Sequence, residues 1–227
     1  MAPEFGVAQS GGGRHFVLNS LVGALHRPII SVLEIGSFEG QSALIWSAVI
    51  TQHCQRGRVL CVDPWSPKYI EKYLGQGAAY ETMADALRSG EAYRRFKYNI
   101  AFADARAPIS HLVGTLRDVY DILRGEQFDI VYIDGDHSAS AVSEDIELAR
   151  PLVKVGGLMC GDDLEAQGGG VDWDSTVAVS ETTDYVGATH PGEPVAVWLA
   201  FGQVWSSIGV WAVLKTDTNA WQPPERV

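Results

Sequence analysis

Cysteine is scarce in this chain of 227 residues: three, Cys54, Cys61 and Cys160, with no CxxC pair and no even set. A structural zinc site and a disulfide scaffold are thereby excluded, and buried free thiols in a reducing, cytoplasmic setting are expected. Basic residues are also few. Seventeen lysines and arginines against 28 acids leave a formal charge of −11. A surface of that sign repels phosphate backbones, so nucleic acid is not expected as a partner, whereas a bound cation suits it. Residues 1–15 lack the basic and apolar regions of a secretion signal. Their SGGG at 10–13 reads as a flexible lead, with one domain over 16–227. One uncharged run, 194–214, has the 21 residues of a membrane span, but Pro194, Gly202, Gln203, Ser206, Ser207 and Gly209 interrupt it. It reads as a helical piece at 195–201 and β-like pieces at 204–205 and 210–214, with no membrane partner. There is no internal repeat.

What the chain does have is alternation. Residues 16–27 space apolar groups at helical period and stop at Pro28. IISVLEI (29–35) is short, apolar and β-branched, as a buried parallel strand is. A helix at 41–52 and a strand at 58–62 follow. The pattern then predicts one long helix over 78–98, a weak strand at 108–113 and a helix at 116–123. A strong strand at 128–133, a helix at 138–152 and a strand from 155 to 159 complete it. Strands alternating with helices define an α/β fold, a doubly wound and mostly parallel sheet. Ligands of such sheets sit outside the carboxyl ends of the strands.

Three constellations fall at those ends. Glu34-Ile35-Gly36-Ser37-Phe38-Glu39-Gly40 is a strand, a glycine turn and a helix start. Glycine there lets the backbone turn sharply and approach a ligand, or simply close a tight turn. Its GxxxG spacing departs from the GxGxxG of nicotinamide enzymes. Asp63 ends the next strand, 23 residues after Gly40. A carboxylate there can accept both hydroxyls of a ribose, although Asp-Pro also opens turns. Trp65 then either covers an adenosine or packs. Lastly, Asp134 and the pair Asp162-Asp163 end two further strands, with Asp136 and His137 just behind the first. Carboxylates gathered in this way need neutralising, and an all-oxygen set suits Mg²⁺, Mn²⁺ or Ca²⁺. Helix capping and turn opening are the plainer uses of the same acids. Beside such a cluster His137 is a candidate general base.

VLEIGSFEG (32–40), VLCVDPW (59–65) and FDIVYIDGDH running to GGLMCGDDL (128–164) resemble class I S-adenosylmethionine-dependent methyltransferases. Within them the chain is similar to metal-dependent small-molecule O-methyltransferases, including macrolide and aminocoumarin sugar O-methyltransferases and cephalosporin-hydroxylase-like proteins. THPGEPVAVWLAFGQVW and GVWAVLK look like the last helix and a closing antiparallel hairpin. The resemblance implies an S-adenosyl-L-methionine site of Glu34, Gly36, Ser37, Gly40, Asp63, Trp65 and Asp134. It implies a divalent ion, Mg²⁺ or else Mn²⁺ or Ca²⁺, on Asp134, Asp162 and Asp163. His137 stands where relatives keep a catalytic lysine or histidine, and Asp136 is the rival base. The chain departs from the pattern in carrying Asp162-Asp163 where many relatives have Asp-Asn. It also lacks a clear acidic adenine contact after 108–113. The expected acceptor is a small molecule with a vicinal diol or catechol, since two adjacent hydroxyls can chelate an ion. A cofactor-binding module without catalysis is the alternative. Trp198, Trp205, Trp211 and Trp221 either cover the sheet or offer a face for a homo-oligomer.

Overall fold

The computed structural model describes residues 1–6, 13–165, 171–186 and 189–225. Residues 10–12 of the expected flexible lead and the loop glycines 168–170 lie outside the described residues. In chain order the elements are α1 (Arg14–Leu25), β1 (Ile29–Ile35), α2 (Gln41–His53), β2 (Arg56–Asp63), α3 (Ala78–Arg88) and α4 (Glu91–Asn99). Next come β3 (Ile109–Val113), α5 (Leu116–Leu123), β4 (Phe128–Ile133), α6 (Ala139–Ala149), β5 (Val153–Gly161) and α7 (Trp173–Ser180). The chain closes with α8 (Gly192–Phe201), β6 (Trp205–Ser207), β7 (Val210–Asp217) and β8 (Ala220–Gln222).

The strands form one sheet in the order β3-β2-β1-β4-β5-β7-β6, with β8 on β7. The first five are parallel, and β7 runs antiparallel to β5, β6 and β8. Both faces are covered, which is why β1 and β4 are mostly apolar and almost wholly buried. Period two still sorts their side chains. Ile30, Val32, Ile130 and Tyr132 join Leu18, Trp46 and Phe96 on one face. Leu33, Ile35, Val131 and Ile133 join Leu116, Ile146 and Trp211 on the other. The charged residue of β4, Asp129, sits at the far end of the sheet from the site. There Ser31 donates two hydrogen bonds to it, and Arg27 and Lys154 neutralise it.

The single helix expected over 78–98 is two. Gly90 takes φ +71 and restarts the chain as α4. The helix expected to reach 152 ends at Ala149, and Pro151 sits in a 3-10 turn over Arg150–Leu152. Helix α1 begins at Arg14, two residues earlier than its periodicity suggests, and ends on His26 in left-handed conformation. The uncharged run resolves into α8, β6 and most of β7. Among the described residues no helix is long and apolar enough to cross a membrane. All three cysteines are free and buried. Trp211 is wholly buried, whereas Trp198 is partly exposed and stacks on Trp173 at 4.6 Å between ring centroids.

Candidate functional site

The order of strands reverses between β1 and β4, and a crevice is expected beyond their carboxyl ends. A cavity of about 470 Å³ lies there. Its floor is stitched together by backbone. The Gly36 N–H donates to Val62 at 2.9 Å, and the Asp134 N–H to Ile35 at 2.8 Å. Gly36 has φ +84, and a Cβ on it would lie 2.0 Å from the Asp134 carbonyl oxygen. No other residue type fits that position. Gly40, φ +83, starts α2 against Phe96.

Asp63 fastens the turn to β2. Its Oδ2 accepts the Ser37 and Phe38 N–H groups at 2.8 and 2.9 Å, and its Oδ1 the Trp65 N–H at 2.6 Å. Burial pushes its pKa up, against the pull of those three N–H groups. A carboxylate has about four acceptor positions, so one remains for a ligand hydroxyl. Gly36, Ser37, Asp63 and Asp134 line the cavity. Glu34, Gly40 and Trp65, also expected to touch the cofactor, are not among its lining residues. Trp65 turns into the core, donating from Nε1 to the Phe38 carbonyl at 2.6 Å and packing on Tyr93 and Phe96. Its ring is therefore packed in the core.

Glu34 stands behind the turn, fully buried. Its Oε2 accepts from the Ser37 hydroxyl at 2.7 Å, and its Oε1 has no partner. Burial pushes its pKa up to about 7 from 4.5. The folded chain thus holds a proton that the unfolded chain loses between those values. Stability falls as pH rises through that window, and the cost is complete above it. Glu34→Gln is expected to raise stability at pH 8 by up to roughly 3 kcal/mol and to leave it unchanged near pH 4. Thermal melts at the two pH values check this; an equal shift at both would refute it.

The acids converge, but not as a trio. Asp162 and Asp163 are consecutive, yet Asp163 adopts φ +59 and the two carboxylates reach different partners. The Arg14 guanidinium spans Asp134, at 3.0 Å from Nη1, and Asp162, from Nη2. Asp163 Oδ2 instead lies 3.0 Å from His137 Nε2, and Asp134 Oδ1 lies 3.9 Å from the same nitrogen. The ligand atoms that gather within 4.8 Å are those of Asp134, His137 and Asp163, and separately of Asp163, Glu165 and His190. Asp162 belongs to neither group. The expected all-carboxylate seat for a hard ion therefore does not fit this arrangement, because a guanidinium bridges two of its members and an imidazole holds the third.

His137 is clasped from both sides. Its Nδ1 lies 3.3 Å from Glu193 Oε2, and Glu193 Oε1 accepts from Trp211 Nε1 at 2.9 Å. Burial opposes the imidazolium, but Asp163, Glu193 and Asp134 outweigh it and push its pKa up to about 10. Asp136, the rival base, is otherwise engaged. Its Oδ1 accepts from Lys72 Nζ at 2.6 Å and from the Ser138 N–H at 3.0 Å. Burial raises its pKa, but those contacts carry it below the usual carboxylate value. A carboxylate so held is a weak proton acceptor.

The cavity wall opposite the glycine turn is aromatic. Tyr73 and Tyr80 stack at 5.1 Å, and Tyr185 meets Tyr80 edge-on at 5.2 Å. His190 bonds the Tyr80 hydroxyl at 3.0 Å through Nε2. Lys72, which bridges Asp136 and Asp184 at 2.6 and 3.0 Å, ties this wall down. Arg14, Lys72, His190 and Glu193 are not singled out by the sequence, where THPGEP is the one signal for the last two.

Sheet order, glycine turn and strand-end carboxylates define a doubly wound α/β protein with a ligand cavity at its switch point. A family profile described as "Methyltransferase domain" matches residues 33–164, so the chain belongs to that methyltransferase family. Cofactor-bound Rv0187 from MTB is similar in fold: 16% identity, 95% of this chain and 85% of that one covered, TM-score 0.54. So is the O-methyltransferase from Bacillus cereus in complex with SAH, at 16% identity, 91% and 83% coverage and TM-score 0.52. The TDP-rhamnose 3′-O-methyltransferase CalS11 of calicheamicin biosynthesis has 14% identity, 90% and 79% coverage and TM-score 0.51. No curated protein matches the chain.

Proposed function

We propose that this methyltransferase moves a methyl group from S-adenosylmethionine to a hydroxyl of a small molecule, the vicinal diol of a sugar-bearing natural product or a catechol. The observation that carries the reading is one cavity lined by the Gly36 turn, Asp63 and His137, whose ring buried Glu193 holds from behind. Among its structural neighbours, one is an O-methyltransferase in complex with SAH and another acts on a TDP-linked sugar. S-adenosylmethionine, when bound, supplies an electrophilic methyl on a cationic sulfur. Gly36 and Ser37 would hold it, and the remaining acceptor position of Asp63 would take a ribose hydroxyl. The tyrosine wall gives the acceptor ring a flat apolar surface.

His137 removes the hydroxyl proton. In its neutral form Nε2 accepts that proton, while Glu193, fixed by Trp211, holds Nδ1–H and orients the ring. No divalent ion takes part in this reading, since Arg14 and His137 already engage the three carboxylates. Calorimetry with S-adenosylmethionine and S-adenosylhomocysteine, followed by mass spectrometry on catechols and sugar diols, tests it. Binding of both with a gain of one methyl on an acceptor is the expected result. Binding without transfer to any hydroxyl would leave a cofactor-binding module. Failure to bind either would end the proposal.

A further inference from the structure

We propose that Arg14 is the resident cation of the carboxylate cluster, standing where metal-dependent methyltransferases would keep a divalent ion, so that this chain works without metal. The inference rests on the methyl-transfer reading above but is tested apart from it.

Three observations carry it. First, the guanidinium spans Asp134 and Asp162, carboxylates from the ends of two adjacent strands, β4 and β5. These are two of the three acids placed to hold an ion, and a planar fork is suited to bridging carboxylates. Second, the bridge is largely sheltered, with Arg14 and Asp134 side chains each 16% exposed and Asp162 7%. Pairs shielded in this way are not screened as surface pairs are. Third, Arg14 is anchored. It opens α1, whose Val17, Leu18, Leu21 and Val22 are buried. Burial disfavours its charge, yet the surrounding acids hold its pKa above the ordinary value. A divalent ion at Asp134 would meet a fixed positive charge and would have to displace it.

The role is one of positioning. With its acids neutralised, Asp134 keeps its backbone contact to the glycine turn, and His137 keeps Asp163 and Glu193 as partners. The test uses Mn²⁺ alone, followed by its electron paramagnetic resonance signal, on the intact chain after chelation. The unaltered protein is expected to leave Mn²⁺ free and to keep its methyl transfer in EDTA. Arg14→Met is expected to gain at least about tenfold in Mn²⁺ affinity. Arg14→Lys, which retains a cation, should still exclude Mn²⁺ and guards against a misfolded methionine variant. Stoichiometric Mn²⁺ binding by the unaltered protein overturns the inference, as does failure of both the unaltered protein and a folded Arg14→Met to bind it. S-adenosylhomocysteine binding, measured on the same samples, reports separately on the methyl-transfer reading.

Discussion

Replacing His137 by alanine is expected to lower kcat by about 10²–10⁴-fold while KM changes little, because the ring acts on the proton and not on ground-state binding. The pH profile gives the second signature. With a pKa near 10, His137 is an imidazolium at neutral pH, and only its minor neutral form can accept a proton. The methyl-transfer rate should therefore climb about tenfold per pH unit from neutrality and level off as pH approaches that value. Glu193→Gln should move the plateau to lower pH, since it removes one of the charges that hold the proton on the ring. A flat profile between pH 7 and 9, with His137→Ala unimpaired, would rule the histidine out. Should Asp136→Asn instead be the crippled variant, the base is the carboxylate.

Gly36→Ala is expected to be the most damaging conservative change in the chain. A left-handed backbone costs a non-glycine residue roughly 1–3 kcal/mol. Here the added carbon would also collide with the Asp134 carbonyl, 2.0 Å away, and push apart the ends of β1 and β4. A loss of at least about 3 kcal/mol follows, or a fall of roughly 6–12 °C in Tm for a domain of this size. Gly75→Ala is the matched control. Gly75 has a similar φ, +83, but nothing lies within 4 Å of the added carbon. It should show the backbone cost alone. Melting curves of the two variants decide the matter: equal losses would mean that the collision contributes nothing. Calorimetry on any folded Gly36→Ala protein should show cofactor affinity lost with the turn.

Much of the sheet is legible in the sequence. IISVLEI and FDIVYI could hardly be anything but covered parallel strands, and their carboxyl ends pointed to the cavity. The glycine turn was readable because Gly36 lies where the chain must bend from strand to helix. Asp63 was readable as a strand-end acid, although its three N–H partners were not. Local pattern could not show that Ser89-Gly90 would divide an otherwise continuous amphipathic segment. Nor could it reveal partners that meet only in the folded chain. Arg14 and Asp134 are 120 positions apart, and His137 and Glu193 are 56 apart. No periodicity encodes such encounters. The acids after β4 and β5 lie near one another, with Arg14 and His137 where an all-oxygen cage was expected. Trp65 illustrates the same limit. Its position after Asp63 suggested a cofactor contact, while the rings of Tyr93 and Phe96 draw it inward.

Helix α1 has one more consequence. It precedes residues 33–164, the portion that carries the family resemblance. A chimera that borrows that portion without α1 would inherit the acidic pocket stripped of its built-in counter-charge. Such a hybrid would be hungry for calcium or manganese, and its ion requirement would reflect where the scissors fell rather than how the parent enzyme operates.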